Sequence, residues 1–576
     1  MAPHPVEKTQ AAGPASHEAD DIAALMRPPA QVMRLSRLGS FHQTRLSFMR
    51  VLLRRLDGER WKFERPRFDL DARGNGVAVY RARGPRRSYS LVAFGNDLPP
   101  EKRTDRVIAE EWDASFALFD GEPSDADIAR LKANVPKQEA GRVSGRELVM
   151  ARANKSVRLF DQVARSLAQG RQPAAAELAD IGYLMRTTAV YGSGKFGLAD
   201  RESICERPEF SGPFQAEMLA VYLIRAFTFD YLNHAARAIA PSAVPLDPAL
   251  CRSLGVGNAT GLGMAPFLVS HPALIDRWIA ARETALARVR AHGDAGRWPQ
   301  FLAMLARARL LVAGWRVDDA IQAARIAGLE ADLQRLAGHA QRPETARPWD
   351  ALYRWGEGNL TVEGQEMLAS LLIEPHGELV DDLAGTMACD EDAEFAIDGG
   401  MTLAALRRSI EISYRFALAT DFSASAAQAR FWYVSEEKLE PRLGERAEEP
   451  GAELEQPLSV ARDVAALHGA LRDAPGAARV AEFLMRQPQF RNIVRRVQIA
   501  ARHPYAEVQD NLLDAAMRPI DLLRCKLSCF GATKFDPKSD RWVRITMFQG
   551  APLPQEIGQV PVDDWIYPPL PAERAA

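Results

Sequence analysis

Apolar residues recur on two different periods along this chain. Between residues 61 and 119 they tend to alternate: Trp61 and Phe63, then 77–82, 89–94 and 107–119, are short runs rich in aromatic and branched residues. Gly74-Asn75-Gly76, Gly84-Pro85 and Gly95-Asn96-Asp97 separate them. Period-two runs broken by turn residues predict an antiparallel meander of about four strands. Just before it, Leu46, Met49, Leu52 and Leu53 repeat at helical spacing among arginines, so 41–55 is expected to be an amphipathic helix.

From Ser124 onward the period is helical. Ser124 followed by Asp127 resembles a capping box, and Asp247 before Pro248 supplies a cap ahead of proline at the first helical position. Long helices are expected over 145–169, 174–187, 214–239, 272–291 and 298–313, and shorter ones over 317–338, 361–372, 376–387 and 401–420. The charged segment 436–457, with Pro441, Gly444, Pro450, Gly451 and Pro457, is the best internal loop. Helices resume over 458–474, 477–486 and 490–517. The last alternating run, Trp542 to Phe548, is a strand far from the others; since a lone strand is unstable, it is expected to pair with the N-terminal sheet.

The expected class is therefore α+β, predominantly α-helical, with a small antiparallel sheet from N-terminal strands plus a C-terminal strand. The organisation follows: a disordered tail over 1–30, a helix and meander over 31–122, a helical body over 123–435 with two glycine-rich loops, the charged loop over 436–457, helices over 458–530, and a strand with a proline-rich tail over 531–576 packing back on the sheet.

Composition narrows the class without naming a reaction. The 576 residues are 47% apolar and 26% charged with a net charge of −2, which suits an ordinary globular protein and gives no basic footprint for nucleic acid. Five cysteines without CxxC spacing indicate neither a disulfide framework nor a zinc knuckle. No apolar run reaches the roughly 20 residues a bilayer span needs. A cytoplasmic, bacterial-type protein with no nucleic-acid or membrane partner is expected, and a homo-oligomer is left open.

Candidate chemistry starts in the segment 186–197, where Arg186, Thr187, Thr188, Tyr191, Ser193 and Lys195 surround three glycines. A phosphate loop needs GxxxxGK[ST] between a strand and a helix. Here a helix is expected before the turn, only Ser193 separates the glycines, and Phe196 follows Lys195, so that motif is rejected. What survives is a corner where glycines admit a ligand to backbone amides and the cations grip a carboxylate or phosphate. The structural alternative is a glycine C-cap. The segment 255–266 is a second glycine-rich stretch, in which Asn258 and Thr260 are candidates to orient the ligand; GxGxxG is excluded because Thr260 stands where glycine is needed.

Three further stretches carry titratable groups. Phe431-Trp432-Tyr433 precedes Glu436 and Lys438, and Glu411 and Arg415 lie one helical turn apart upstream. Glu507, Asp510, Asp514, Arg518 and Asp521 recur every three or four residues after His503. An acidic belt, Glu374 to Asp398 around His376, is suited to a divalent cation but matches no calcium loop or HExxH site.

These residues point to an enzyme acting on a small anionic metabolite by acid–base chemistry, of lyase or isomerase type, with no cofactor and no metal. Tyr191, Lys195 and Glu436 are the expected catalytic groups, and Arg186, Thr187, Thr188, Ser193, Asn258, Thr260 and Arg415 the substrate-binding ones. A non-catalytic helical scaffold or regulatory binding protein is the alternative, and a metal-dependent enzyme built on 374–398 the third. The first reading expects Arg186, Lys195, Asn258 and Thr260 to face one concavity.

Overall fold

The computed structural model describes residues 21–34, 36–102, 111–134, 144–188, 204–259, 272–315, 320–343, 346–388, 396–423, 460–508, 524–532, 534–537, 543–563 and 565. A mixed sheet runs through the molecule. Its first four strands, β1 (Lys62–Leu70), β2 (Gly76–Arg83), β3 (Ser88–Gly95) and β4 (Ala114–Asp120), form the meander that the alternating pattern predicts. β1 is one edge of the sheet, and its register against β2 breaks between Glu64 and Arg67, around Pro66, which has no amide hydrogen to offer a ladder. β3 and β4 are buried on both faces, because Val92, Phe94, Ala117 and Phe119 pack under Leu131 of the helix Asp125–Asn134. That double burial explains the continuous apolar run of β3.

The sheet does not stop there. β5 (Glu147–Lys155), β6 (Tyr183–Thr187), β7 (Gly255–Ala259), β8 (Lys534–Pro537) and β9 (Val543–Met547) extend it to nine strands in the order β1-β2-β3-β4-β5-β6-β7-β9-β8. The mixed α/β class is as expected, but the sheet is neither small nor antiparallel throughout, since β6 and β7 run parallel. The C-terminal strand β9 enters the sheet against β7 and β8, not against the meander.

Two strands, β5 and β6, lie where the apolar spacing suggested helix, and β7 lies where glycines suggested a loop. β5 and β6 are built largely from Leu, Met, Ala and Arg, good helix formers, and tertiary pairing overrides that preference. The helix Ala175–Ile181 ends at Gly182 with φ of 79°, a left-handed cap, and the chain turns directly into β6. β7 reads as a loop in sequence because of its glycines, yet those glycines are what allow the strand to fit. A Cβ on Gly255 would collide with the Met547 carbonyl, and one on Gly257 would lie 2.8 Å from the Tyr183 ring.

Parallel strands need a long crossover, which here contains the 25-residue helix Gln215–Ile239. With α1 (Phe48–Gly58) and α2 (Phe160–Ala168) ahead of it in the chain, we call this helix α3. It packs across β2 to β7 and against α1 and α2. Its buried residues fall on every side, from Met218, Leu219 and Val221 to Phe227 and Tyr231, as a helix enclosed by sheet and helices requires. Each such side chain contributes roughly 1.5–3 kcal/mol of burial.

Among its buried residues, Arg225 donates to the carbonyls of Leu254, Cys251 and Arg252 and to those of Ala551 and Pro552, which ties the C-terminal segment to the approach to β7. Beyond α3, α4 (Pro272–Ala291) begins a layer of helices. The N-terminal segment is clamped to that layer by Arg27, whose guanidinium bonds Glu283 and Glu366 at 2.7 Å each in a buried site. No described helix is long and apolar enough to cross a membrane.

The glycine positions give a direct check on packing. Gly257→Ala is expected to lower unfolding free energy by about 1–3 kcal/mol in chemical denaturation, the usual cost of forcing a methyl into a filled site. Gly328→Ala, inside the helix Ala320–His339 with nothing within 4 Å of the new methyl, is expected to raise it by about 0.5–1 kcal/mol.

Candidate functional site

The parallel pairing of β6 and β7 brings two distant parts of the sequence to one edge. The chain leaves β6 after Thr187 and β7 after Ala259, so both glycine-rich stretches of the sequence continue from the carboxyl ends of neighbouring parallel strands. Asn258 stands at this edge, wholly buried, and its Nδ2 donates to the Thr187 carbonyl at 3.0 Å. Its Oδ1 accepts from Lys526 Nζ at 2.7 Å.

Lys526 is the central finding. It is 1% exposed and sits in the last helical residues before a π-helical turn, Leu527–Gly531. Such turns widen the backbone and recur at functional sites. No carboxylate is within ion-pairing distance of this amine among the described residues; apart from Asn258 its close neighbour is the Phe530 ring, 5.6 Å from Nζ. Burial alone pushes the ammonium well below the ordinary lysine value, which favours the neutral amine.

Aromatic rings wall this position. Phe530 packs on Phe214 at 4.5 Å and on Phe48 at 5.0 Å, and Trp278 meets Phe48 at 4.8 Å between ring centres. Phe214 opens α3 with φ of 55°, a left-handed conformation that costs a non-glycine residue on the order of 1–3 kcal/mol. Gln215 beside it spends its Nε2 on the Phe48 and Pro213 carbonyls, while its buried Oε1 and the buried Ser47 Oγ have no hydrogen-bond partner among the described residues. Ser47 faces Gly531, whose φ of 95° and close approach to that hydroxyl leave no room for a side chain. The strap before α1 also presses on the lysine's own helix: Gly39 lies against the Arg524 carbonyl, and Ser40 N and Thr44 N donate to Ser528. A strained helix start, a π turn and unpaired buried acceptors thus converge on one desolvated amine.

Cys525 and Cys529 flank the lysine and share a thiol–thiol hydrogen bond, which together with burial raises the Cys525 thiol. Among the described residues no group of three or more His, Cys, Asp or Glu is arranged to hold a metal ion.

The residues singled out from sequence fare unequally. Asn258 and Thr187 meet through the amide-to-carbonyl bond just described. Thr187 and Thr188 spend their hydroxyls on the Arg152 carbonyl, each at 3.3 Å. Arg186 is paired in register with Gly257, so the pleat directs its side chain to the face opposite Asn258. Arg415 is exposed and donates to the Glu411 carbonyl at 3.3 Å, and no contact joins it to the β6–β7 edge. Tyr191, Ser193, Lys195, Thr260 and Glu436 lie outside the described residues.

The rejection of a phosphate loop at 186–197 rested partly on a helical flank, and that argument fails because β6 is a strand. The spacing argument stands: Ala189 replaces the first glycine and Phe196 the Ser or Thr. In the acidic belt, Glu374 pairs with Arg50, Asp381 with Arg45 and Asp382 with Arg288, while His376 is buried against Trp349 and His292 and lowered to about 4 by burial. Glu507 is buried and takes two bonds from Arg496, at 2.7 and 2.9 Å, and one from the Tyr414 hydroxyl at 2.8 Å. That is a structural clamp with its oxygens occupied.

Sequence reasoning missed Lys526, although a signal exists. Its neighbours one helical turn away are Leu522, Leu523, Cys529 and Phe530, so no carboxylate is placed to pair with it locally. Compared with protein-family models, curated proteins and solved structures, the chain matches none.

The buried lysine makes a signed prediction. A lysine with a depressed folded-state value binds fewer protons than its unfolded form between that value and the ordinary one near 10.5, so folding stability rises with pH across this window. Lys526→Met removes the dependence. The melting temperature of the wild type is expected to gain on that of Lys526→Met as pH rises from 7 to 10; a lysine held by a carboxylate gives the opposite slope.

Proposed function

We propose that the chain is an enzyme acting on a small anionic metabolite that carries a carbonyl group, with lyase or isomerase chemistry run by the Lys526 amine. The observation that carries this reading is a buried lysine whose described polar partner is one neutral amide, Asn258 Oδ1 at 2.7 Å. An uncharged amine has a lone pair available at neutral pH, and an ammonium does not.

The step balances without a cofactor. Nζ adds to the carbonyl carbon and one of its protons passes to the carbonyl oxygen; the hydroxyl so formed takes a second proton from solvent and leaves as water, and an iminium carbon bonded to Nζ remains. The positive nitrogen then accepts the electron pair of a neighbouring C–C or C–H bond as that bond breaks, which is the common core of imine-based lyases and isomerases. Asn258 holds the amine through its oxygen and is itself fixed by the Thr187 carbonyl, so its role is positioning. Ligands favour the carboxyl ends of parallel strands, where β6 and β7 place this edge. The anionic character of the substrate rests on sequence, because the cation- and hydroxyl-rich segment 186–197 continues directly from β6.

Reductive trapping tests the proposal. Incubation with pyruvate or dihydroxyacetone phosphate plus cyanoborohydride, followed by peptide mass spectrometry, is expected to place a secondary-amine adduct on Lys526 ahead of exposed lysines, and Asn258→Ala is expected to reduce it. Labelling confined to exposed lysines with both probes would overturn the reading and favour a structural or scaffold role.

A further inference from the structure

A second feature lies at the other end of α3. Phe214 borders the lysine site and Tyr231 lies seventeen residues on, which along a helix is roughly 25 Å. There the turn between β1 and β2 meets α2 and α3 around a cavity of about 510 Å³, open to solvent, with Arg73, Lys155, Phe160, Arg165, Tyr231 and His234 in its wall. Its volume is that of a site for a small organic molecule.

Two kinds of surface meet in it. One is cationic: Arg73, Lys155 and Arg165 line the cavity against Asp161 as the single carboxylate among the lining residues. The exposed Arg73 is 3.7 Å from Asp97, and Arg165 Nε bonds the Asp161 backbone carbonyl at 3.1 Å. Lys155, with its side chain 9% exposed, is built into the wall. Its Nζ lies over the Tyr231 ring at 4.6 Å and over Phe160 at 5.0 Å, and it is ion-paired with the buried Asp113 at 3.8 Å. His234 is oriented by a 2.7 Å bond between Nε2 and the Asp71 carbonyl.

The other surface is apolar. Ala164, Ala235, Ala238 and Ile239 complete it with the two rings, and Ile239 is 57% exposed. The turn is fitted to the rings: Gly74 has φ of 86°, and a Cβ there would lie 2.8 Å from Tyr231.

We propose that this cavity binds a small anion with an apolar body, its carboxylate or phosphate toward Lys155, Arg73 and Arg165 and its body along the ring, alanine and isoleucine wall. Arg73 and Lys155 are each paired with an aspartate outside the lining, so Arg165, which pairs with no carboxylate among the described residues, is the cation that selects the anion; the ring and alanine wall selects the body, and separation along α3 sets the site apart from Lys526.

Isothermal titration with phenyl phosphate, inorganic phosphate and phenol tests it on the whole chain. Phenyl phosphate is expected to bind saturably and more tightly than either fragment, with affinity falling as salt rises. Lys155→Met is expected to weaken it about tenfold, the value of one charge-assisted hydrogen bond. Ala238→Trp, a filling substitution at an exposed helix position, is expected to abolish it even where Lys155→Met fails to fold. No saturable binding by the wild type, binding unchanged in Ala238→Trp, or inorganic phosphate binding as tightly as phenyl phosphate would each overturn the assignment.

Discussion

A parallel pair of strands cannot be closed by a tight turn, and the pairing of β6 with β7 imposes that constraint on the rest of the molecule. The chain must leave the sheet and return on the same side, and the described part of that return is α3, enclosed by the sheet on one side and helices on others. Once α3 is in place, β7 has a free edge, and β9 fills it from near the end of the sequence. The same return sets Asn258 beside Thr187. Sheet completion and site construction are therefore one event.

Two buried cations show how differently this interior treats charge. Arg225 surrenders its water to the carbonyl oxygens of Leu254, Cys251, Arg252, Ala551 and Pro552, so its planar fork is saturated even though burial lowers it to about 10. Lys526, equally buried, has one amide oxygen and an aromatic face. An ammonium carries three donors, and the one acceptor among the described residues leaves two of them unmet in a buried site. The neutral amine needs fewer. The contrast lies in partner number, because both side chains are buried to within 1%.

How much of this was legible in sequence depends on the range of the interaction that decides each element. β1 to β4 were readable because alternation and turn residues are local signals, and the Ser124 cap was too, with Asp127 Oδ2 accepting from Ser124 N and Oγ at 3.0 and 2.7 Å. β5, β6 and β7 were not, because each is stabilised by partners tens to hundreds of residues away and carries residues that locally prefer helix or turn. The glycines of β7 illustrate the point: Gly255 and Gly257 are set by Met547 and Tyr183, which lie far off in the chain. Asn258 was legible as a polar group in a glycine-rich stretch. Its partner, Lys526, lies 268 residues on, and no periodicity connects the two.

The energetic cost of Lys526 separates a structural role from the proposed chemical one. Burying an amine with one acceptor costs stability, and a methionine of similar length would fill the same space among Phe48, Phe214 and Phe530 without that cost. The left-handed Phe214, whose ring lies 4.5 Å from that of Phe530, and the π turn add further cost in the same aromatic cluster. Each feature alone is tolerable in a protein of this size. Their concentration around one buried amine, whose charged form burial disfavours, at the carboxyl ends of β6 and β7, is a cost that packing alone does not require and that the imine chemistry proposed for Lys526 would use.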